Sequence, residues 1–484
     1  MFLDWMSMSK LERMSSVDTA WLRMDRRSNL MMICGVMVFR EPLDYQRLRQ
    51  TLAERFVSFR RFRQRPKHQA AISLWEDDAD FDLDCHLHRV ALPGKADTAE
   101  LQRYASDLMG TPLDPLKPMW EYHLVENFQG GSALIMRIHH CYADGIALIH
   151  VMLSMCDSSR EALPRAEDES GERPADSFAK LGKPIANAMQ TALKFGQAAV
   201  DKGMQIWADP NRLAEYGLQG AGFAQEAMNL LTMGQDSRTR FKGKPGPLKR
   251  VAWAEPIPLE EVKAVGKALG CSVNDVLLAS VAGALRRYLV AHGDEVEGVM
   301  IRALVPVNLR PAEQAKNLGN YFGLVFLPVR VGLDNPLERL YAVRQAMQDL
   351  KGSQQPVLAL GLLAASGMAP KLVQDQLLDT LSKNASAVMT NVPGPPQPMY
   401  LAGAKIDSMM FWVPQSGDIG MGVSILSYNN EVHFGVVTDR KLVPDPENVI
   451  AFFQPEFAQL LYATLMSPWE GELQPDDLNR FVQA

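Results

Sequence analysis

The sequence predicts an α/β protein of mixed layers, built as two units that each pack helices on a mixed sheet. Three observations predict it. The chain has 484 residues, 47% hydrophobic and 22% charged, which is enough material for two sizeable cores. Runs with strand character alternate with runs of helical spacing along most of the length. The composition also breaks after Cys156, where DSSREALPRAEDESGERPADS is charged, proline-containing and poor in large apolar residues, as a mobile linker would be. The expected division is therefore 1–157, a linker region 158–250, and 251–484.

In the first unit, MMICGVMVFR from Met31 to Arg40 reads as a buried strand. WEYHLVEN from Trp120 and SALIMRIH from Ser132 to His139 read as a hairpin pair. Tyr45 to Val57 and Thr98 to Met109 have helical spacing, and Asp144 to Met155 continues as a helix directly after the second hairpin strand. Within 158–250, Ile185, Ala188, Met189, Ala192 and Leu193 recur at helical spacing beside Lys180, Lys183, Lys194 and Lys202. That segment reads either as a packing helix or as one lying on a membrane surface. A second helix is expected from Phe223 to Met233, and the basic RTRFKGKPGPLKR closes the region.

In the second unit, Leu259 to Leu269 is helical with Gly270 as its C-terminal stop. Ser272 and Asp275 have the spacing of a capping box that opens a long helix to about Val290. Strands are expected at Val299 to Val307 and Phe322 to Val331, and helices at Pro336 to Lys351 and Leu372 to Ser382. Asn429-Asn430 joins two alternating strands as a hairpin turn, and Glu447 to Leu465 forms the last helix.

Several function classes fall away. A net charge of -6 and a pI of about 5.9 argue against nucleic acid as a partner. The five cysteines are scattered, odd in number and without a C-x-x-C, which fits a reducing cytoplasm rather than a disulfide framework or zinc site. MFLDWMSMSKLERM lacks a signal-peptide layout. No run reaches the ~20 apolar residues of a bilayer span, and the best candidate, Pro356 to Pro370, is short and bounded by prolines. The 26 methionines leave room for adaptable apolar pockets or tunnels.

The segment that carries chemistry is His139-His140-Cys141-Tyr142-Ala143-Asp144-Gly145, placed where a buried strand gives way to a helix. A neutral imidazole held there can accept a hydroxyl proton during attack on a carbonyl. Asp144 sits at the helix start, where the dipole favours an anion and an arginine can lock it. Gly145 lets the backbone turn or approach a neighbour closely. A metal is not expected, because the strand-to-helix break denies His140 and Asp144 a common helical face and no third ligand is evident. Cys141 points away from its histidine neighbour and reads as an inert thiol. His123 and His150 read as residues without function. Arg60, Arg61, Arg63, Arg65 and Lys67 read as a solvated, dipole-complementing face, with contact to phosphates of a ligand or of anionic lipid as the alternative.

HHxxxDG resembles the signature of the coenzyme A-dependent acyltransferase superfamily, which includes chloramphenicol acetyltransferase, peptide-synthetase condensation domains and plant acyltransferases. Nearly the whole chain more closely resembles the bacterial wax ester synthase/diacylglycerol acyltransferase family. Its marks run in the family's order: Met14-Ser15-Ser16-Val17-Asp18 with Trp21-Leu22, PLDPLKPMW at Pro112 to Trp120, and NDVLLA at Asn274 to Ala279. VPVNLR at Val305 to Arg310, GNYFG at Gly319 to Gly323 and TNVPGP at Thr390 to Pro395 complete them. Two departures are Pro118-Met119-Trp120 for the family's PLW, and Asn29 to Ile33 for its proline-methionine-histidine patch.

The resemblance implies a two-domain fold with an active-site tunnel between the domains, coenzyme A entering one mouth and the acceptor the other. It implies that His140 deprotonates an alcohol, whose oxygen attacks the acyl-CoA thioester directly, without an acyl-enzyme. His139 would help shape the site. Asp144 would be salt-bridged to an arginine of the other domain, for which Arg310 is the candidate. Asn274, in the first turn of the long helix, would assist substrate or oxyanion binding. The acceptor would be a fatty alcohol or diacylglycerol, giving wax esters or triacylglycerol. No cofactor is implied, since acyl-CoA is a cosubstrate. Lipid substrates make peripheral attachment to the inner membrane or lipid droplets chemically sensible. Two other readings remain: a condensation-type acyltransferase taking its donor from a carrier protein, and a non-catalytic lipid-droplet scaffold. A scaffold has no need of the intact HHxxxDG.

Overall fold

Strand-and-helix alternation resolves into two central sheets, each covered by helices. The computed structural model describes residues 11–69, 72–161, 230, 232–310 and 318–466. The chain begins with the short strand β1 (Glu12–Arg13) and helix α1 (Ser16–Arg23), whose N-cap Ser15 accepts the Asp18 N–H on its Oγ. Strand β2 (Met32–Phe39) leads to α2 (Tyr45–Thr51), which widens into a π turn over Leu52–Phe56. The hairpin β3 (Gln64–Gln69) and β4 (Ile72–Asp77), strand β5 (Leu87–Val90) and helix α3 (Thr98–Met109) follow. Then come β6 (Trp120–Phe128), β7 (Gly131–His139), α4 (Gly145–Met155) and the short β8 (Cys156–Asp157).

Strand β7 is buried at every position because both faces of its sheet are covered. One face joins a core around Met37, Trp120, Leu134 and Ile138; the other packs Cys34, Val125 and Ile135 against Leu101 and Ala105 of α3.

The second unit opens with β9 (Lys249–Trp253) and β10 (Ile257–Pro258). Helix α5 (Leu259–Ala268) stops at Gly270, which takes φ +64°, and α6 (Val273–Ala291) begins with the expected capping box between Ser272 and Asp275. β11 (Ile301–Asn308), β12 (Phe322–Val329), α7 (Pro336–Leu350), α8 (Gln355–Met368) and α9 (Lys371–Ser382) come next. β13 (Ala387–Pro393), β14 (Tyr400–Leu401), β15 (Ala404–Lys405), β16 (Ser408–Trp412), β17 (Met421–Tyr428), β18 (Glu431–Asp439) and α10 (Pro446–Met466) end the described chain. The large mixed sheet has the order β10-β18-β17-β13-β11-β12, with β9 also on β18. Asn429 and Asn430 turn β17 into β18 at φ 51° and 61°, the left-handed pair a tight hairpin requires.

One strand crosses the division read from the sequence. The first sheet has the order β16-β2-β7-β6-β5, so residues from beyond 251 complete the sheet of the first unit. Strand β16 runs antiparallel to β2 from Ser408↔Val38 to Trp412↔Cys34 and so covers an edge that β2 would leave open. Strand β9 begins at Lys249, inside the segment read as linker. The amphipathic helices expected within 158–250 fall almost entirely outside the described residues.

Two apolar segments bear on the question of a membrane span. The stretch Pro356 to Pro370 forms α8, which crosses α1 so closely that a Cβ at Gly367 would lie 1.8 Å from the Ser16 carbonyl oxygen. Helix α10 has 21 residues and a mean hydropathy of 1.2 in its most apolar window, so by length and composition it could cross a membrane, contrary to expectation. Here it is a core helix: Val449, Phe453, Phe457 and Leu460 are buried, and Glu456 is ion-paired to Arg339 and Arg287.

Candidate active site

The turn after β7 is held from all sides. The His140 N–H donates to the Met31 carbonyl at 2.7 Å, and the Asp144 N–H to the Gly319 carbonyl at 3.2 Å. Asp144 is the N-cap of α4, accepting the Ala147 N–H on Oδ1 at 2.9 Å. Its Oδ2 accepts Arg310 Nη2 at 2.7 Å and the Tyr321 N–H at 2.9 Å. Arg310 Nη2 also donates to the Gly319 carbonyl at 2.7 Å. Both members of this ion pair are buried, so the seam between the units carries a desolvated, fully engaged carboxylate.

The His140 ring stacks on Trp21 with centroids 4.1 Å apart and planes 19° from parallel, and Phe322 approaches it at 5.6 Å. Burial pushes the His140 imidazole down from its ordinary 6.5 to about 4, against the opposing pull of Asp144. The ring is therefore neutral near pH 7 and can take a proton. Its Nδ1 is buried without a hydrogen-bond partner among the described residues.

His139 faces elsewhere. Its Nδ1 accepts the Cys141 N–H at 3.2 Å, which leaves Nε2 to donate to Asp25 Oδ2 at 3.2 Å. Asp25 Oδ1 in turn accepts the Met31 N–H at 2.6 Å. The pair braces the backbone on which His140 hangs. Asn274 lies in the first turn of α6, where its Oδ1 accepts Asn391 Nδ2 at 2.7 Å. Two of the sequence marks, NDVLLA and TNVPGP, thus meet through their asparagines.

A buried histidine at a two-unit seam, locked by an Asp144–Arg310 pair, can be set beside known proteins. The sequence profile of the wax ester synthase/diacylglycerol acyltransferase catalytic domain matches residues 14–277, and that of the WS/DGAT C-terminal domain matches 318–461. The chain belongs to the wax ester synthase/diacylglycerol acyltransferase family. It is an acyltransferase. A probable diacylglycerol O-acyltransferase of Mycobacterium tuberculosis is 25% identical over 93% of this chain and 96% of its own. A putative diacylglycerol O-acyltransferase of Mycobacterium bovis is 29% identical over 79% of this chain and 76% of its own. In structure, the chain resembles the wax ester synthase/diacylglycerol acyltransferase of Marinobacter aquaeolei VT8, with a TM-score of 0.65 at 22% identity over 94% of this chain and 100% of that one. The first condensation domain of the calcium-dependent antibiotic synthetase shares the fold, with a TM-score of 0.58 at 15% identity over 97% and 98% of the two chains. The two-unit fold expected from HHxxxDG is the one these acyltransferases share.

For this family member some single-residue expectations change. Gly145 begins α4 outside the left-handed region, and a Cβ there would meet nothing within 4 Å, so neither a turn nor a close protein contact requires glycine. Cys141 is fully buried and its thiol is pushed well above the ordinary range by that burial, as expected of an inert group. The basic cluster is largely engaged: Arg60 pairs with Asp77, Arg61 with Glu12, and Arg65 and Lys67 with Glu76. Asn29 is a buried tie, accepting Lys249 Nζ at 2.7 Å and donating to the carbonyls of Gly417 and Ile419.

Among the described residues, one group has metal-ligand types close together: His88, Glu121 and His123, on the sheet face packed against α3. Arg137 Nη1 lies 2.8 Å from Glu121 Oε2, and its charge opposes a cation there. Sequence reasoning assigned no site role to Trp21, Asp18, Asp25 or Asn320, although three of them stand in the family's marks.

Proposed function

We propose that this acyltransferase moves a long-chain acyl group from acyl-CoA to the hydroxyl of a fatty alcohol or diacylglycerol, with His140 as general base. The observation that carries the proposal is the buried, neutral imidazole at the seam between the units. The acceptor O–H gives its proton to the imidazole as its oxygen bonds to the thioester carbonyl carbon. The carbonyl electrons move onto oxygen, then return as the C–S bond breaks. The imidazolium returns the proton to the departing thiolate, so the products are an ester and free CoA. The thioester is already activated, so a base and hydrogen-bond donors to the oxyanion suffice, and the reading asks for no metal or prosthetic group. Asn274, oriented by Asn391, is the donor we assign to the substrate side.

The exposed apolar side chains of Met368, Leu372 and Val373 at the α8–α9 corner support peripheral contact with a lipid surface, as do Tyr462, Leu465 and Met466 at the end of α10. Vesicle flotation checks this: protein left at the bottom of the gradient with both neutral and anionic vesicles removes it.

The reaction itself is tested with palmitoyl-CoA and either hexadecanol or dipalmitoylglycerol, following thiol release and lipid product beside His140→Ala. Loss of about 10²–10⁴-fold in the variant is expected for a general base. The better acceptor decides between wax ester and triacylglycerol. Full activity in His140→Ala, or no product from either acceptor, removes the proposal and returns attention to carrier-bound donors.

A further inference from the structure

Asp18 and Asn320 stand in two sequence marks, SSVD and GNYFG, that the mechanism above does not use. They meet at the catalytic turn. Asn320 Nδ2 donates to Asp18 Oδ1 and to the backbone carbonyl of His140, both at 2.8 Å. We propose that Asn320, oriented by Asp18, is a positioning residue that clamps the His140 carbonyl and so fixes the imidazole against Trp21. The inference rests on His140 being the general base.

The backbone of His140 is held at both of its polar groups, the N–H by the Met31 carbonyl and the carbonyl by Asn320. With both peptide planes tied, the Cα–Cβ bond has one direction, and the side chain starts from a fixed root. Helix α1 supplies the second constraint. Asp18 and Trp21 are three residues apart and therefore share a helix face. One holds Asn320 and the other stacks on the imidazole. The same helix thus grips the base through its backbone and through its ring. Ser15, which caps α1 at the Asp18 N–H, fixes where that helix begins.

The arrangement is poor as a stability device, which is the argument for a positioning role. Asp18 is a buried carboxylate, pushed up to about 6 by its burial. Asn320 is buried as well, and its Oδ1 has no hydrogen-bond partner among the described residues. Leaving a buried acceptor unmade is unfavourable, and apolar side chains of the same shape commonly serve stability as well or better. What they could not provide is a donor fork that reaches a carboxylate and a carbonyl at once.

A polarity swap tests the clamp. In Asp18→Asn/Asn320→Asp the composition and volume are unchanged, and an amide N–H at 18 can still bond a carboxylate at 320. The donation to the His140 carbonyl is lost, and a carboxylate oxygen faces that carbonyl instead. Asn320→Leu removes both bonds while keeping the branched skeleton and number of side-chain heavy atoms, and serves as the second variant. Both are compared with the parent and His140→Ala for kcat, for KM toward palmitoyl-CoA, and for the NMR shifts of the ¹³C-histidine ring protons. The His140 ring protons are identified by their loss in His140→Ala.

In the swap variant kcat is expected to fall by about 10–10²-fold per folded molecule, the scale of a sub-ångström to 1 Å misplacement, while KM is nearly unchanged. The ring-current shift that Trp21 imposes on the His140 protons should shrink in parallel. A folded swap variant that keeps both kcat and the shifted resonances overturns the clamp while leaving the base intact. Activity lost only in proportion to unfolded protein, with the resonances unmoved in the folded fraction, overturns it too. If His140→Ala itself stays active, the base reading falls and the clamp falls with it.

Discussion

Two buried ion pairs, one at the catalytic turn and one in the core of the second unit, look alike by burial and differ in what hangs from them. Arg310 and Asp144 are 1% and 4% exposed at their side chains; Arg339 and Glu456 are 3% and 4%. Asp144, however, also caps α4 and accepts the Tyr321 N–H, and the turn it closes carries His140. Glu456 of α10 meets Arg339 of α7 and Arg287 of α6, at a point of the helix layer more than three turns along α6 from Asn274 and without contact to the turn that carries His140. Burial of charge is thus no guide to function by itself. The partners of the charge decide.

The comparison breaks most readily by removing one member of each pair. Arg310→Ala and Glu456→Ala should each cost about 3–5 kcal/mol, because each leaves buried charge uncompensated. Denaturant midpoints measure that. Ester formation per folded molecule should then separate them, falling about 10²-fold in Arg310→Ala as the turn shifts, and little in Glu456→Ala. Equal catalytic losses would mean that the seam has no special hold on His140.

Glycine sharpens the same contrast. Gly283 of α6 lies under the Glu456 carboxylate, and a Cβ there would come 2.0 Å from Glu456 Oε2 and 2.7 Å from Arg339 Nη2. Gly283→Ala should therefore destabilise by about 1–3 kcal/mol through overpacking, read as a lowered thermal midpoint. Its activity at 25 °C should stay near that of the parent.

The pH profile offers a gentler test, confined to the catalytic turn. Because a neutral His140 must accept the proton, kcat/KM should hold down to about pH 4 rather than decline through 6.5. Linkage adds a stability signature. The folded value lies below the ordinary 6.5, so the contribution is complete above 6.5 and is lost as pH falls from 6.5 toward about 4. Unfolding midpoints of His140→Ala should lack that part of the slope. An acid limb near 6.5 would mean that the imidazole is wetter than its stacking on Trp21 implies.

The sequence carried the local parts of this architecture well, and the reason is physical. Helix α3 begins and ends where its spacing said, between an Asp97 cap and Gly110, and the Ser272–Asp275 box opens α6 as expected. Both signals lie within one turn of chain. The strand that leaves its unit was not legible: SMMFW at Ser408–Trp412 has no clean alternation, reads as no element, and says nothing locally about which sheet accepts it. Site partners behave likewise. Asp144 announced itself through the cap position and motif, but the contact of Asn320 with Asp18 joins residues 302 apart that have no periodicity. The resemblance implied that His139 helps shape the site; its ring points to Asp25 rather than beside the His140 ring, because neighbours at a strand end face opposite ways.

The smallest expected effect on stability belongs to the glycine on the other side of the comparison. Gly145 is the first residue of α4, and an added methyl there would contact no protein atom within 4 Å. Gly145→Ala should leave stability unchanged or raise it by about 0.5–1 kcal/mol, since alanine gives up less conformational freedom than glycine in a helix. If the open space beside Asp144 is where substrate passes, the same methyl should raise KM for acyl-CoA or for the acceptor even as the fold gains. A variant that is more stable and kinetically identical would show that the space is ordinary solvent. The contrast with Gly283 would then rest on packing alone, and the catalytic turn would owe its position to Asp144, Arg310 and the hydrogen bonds around them.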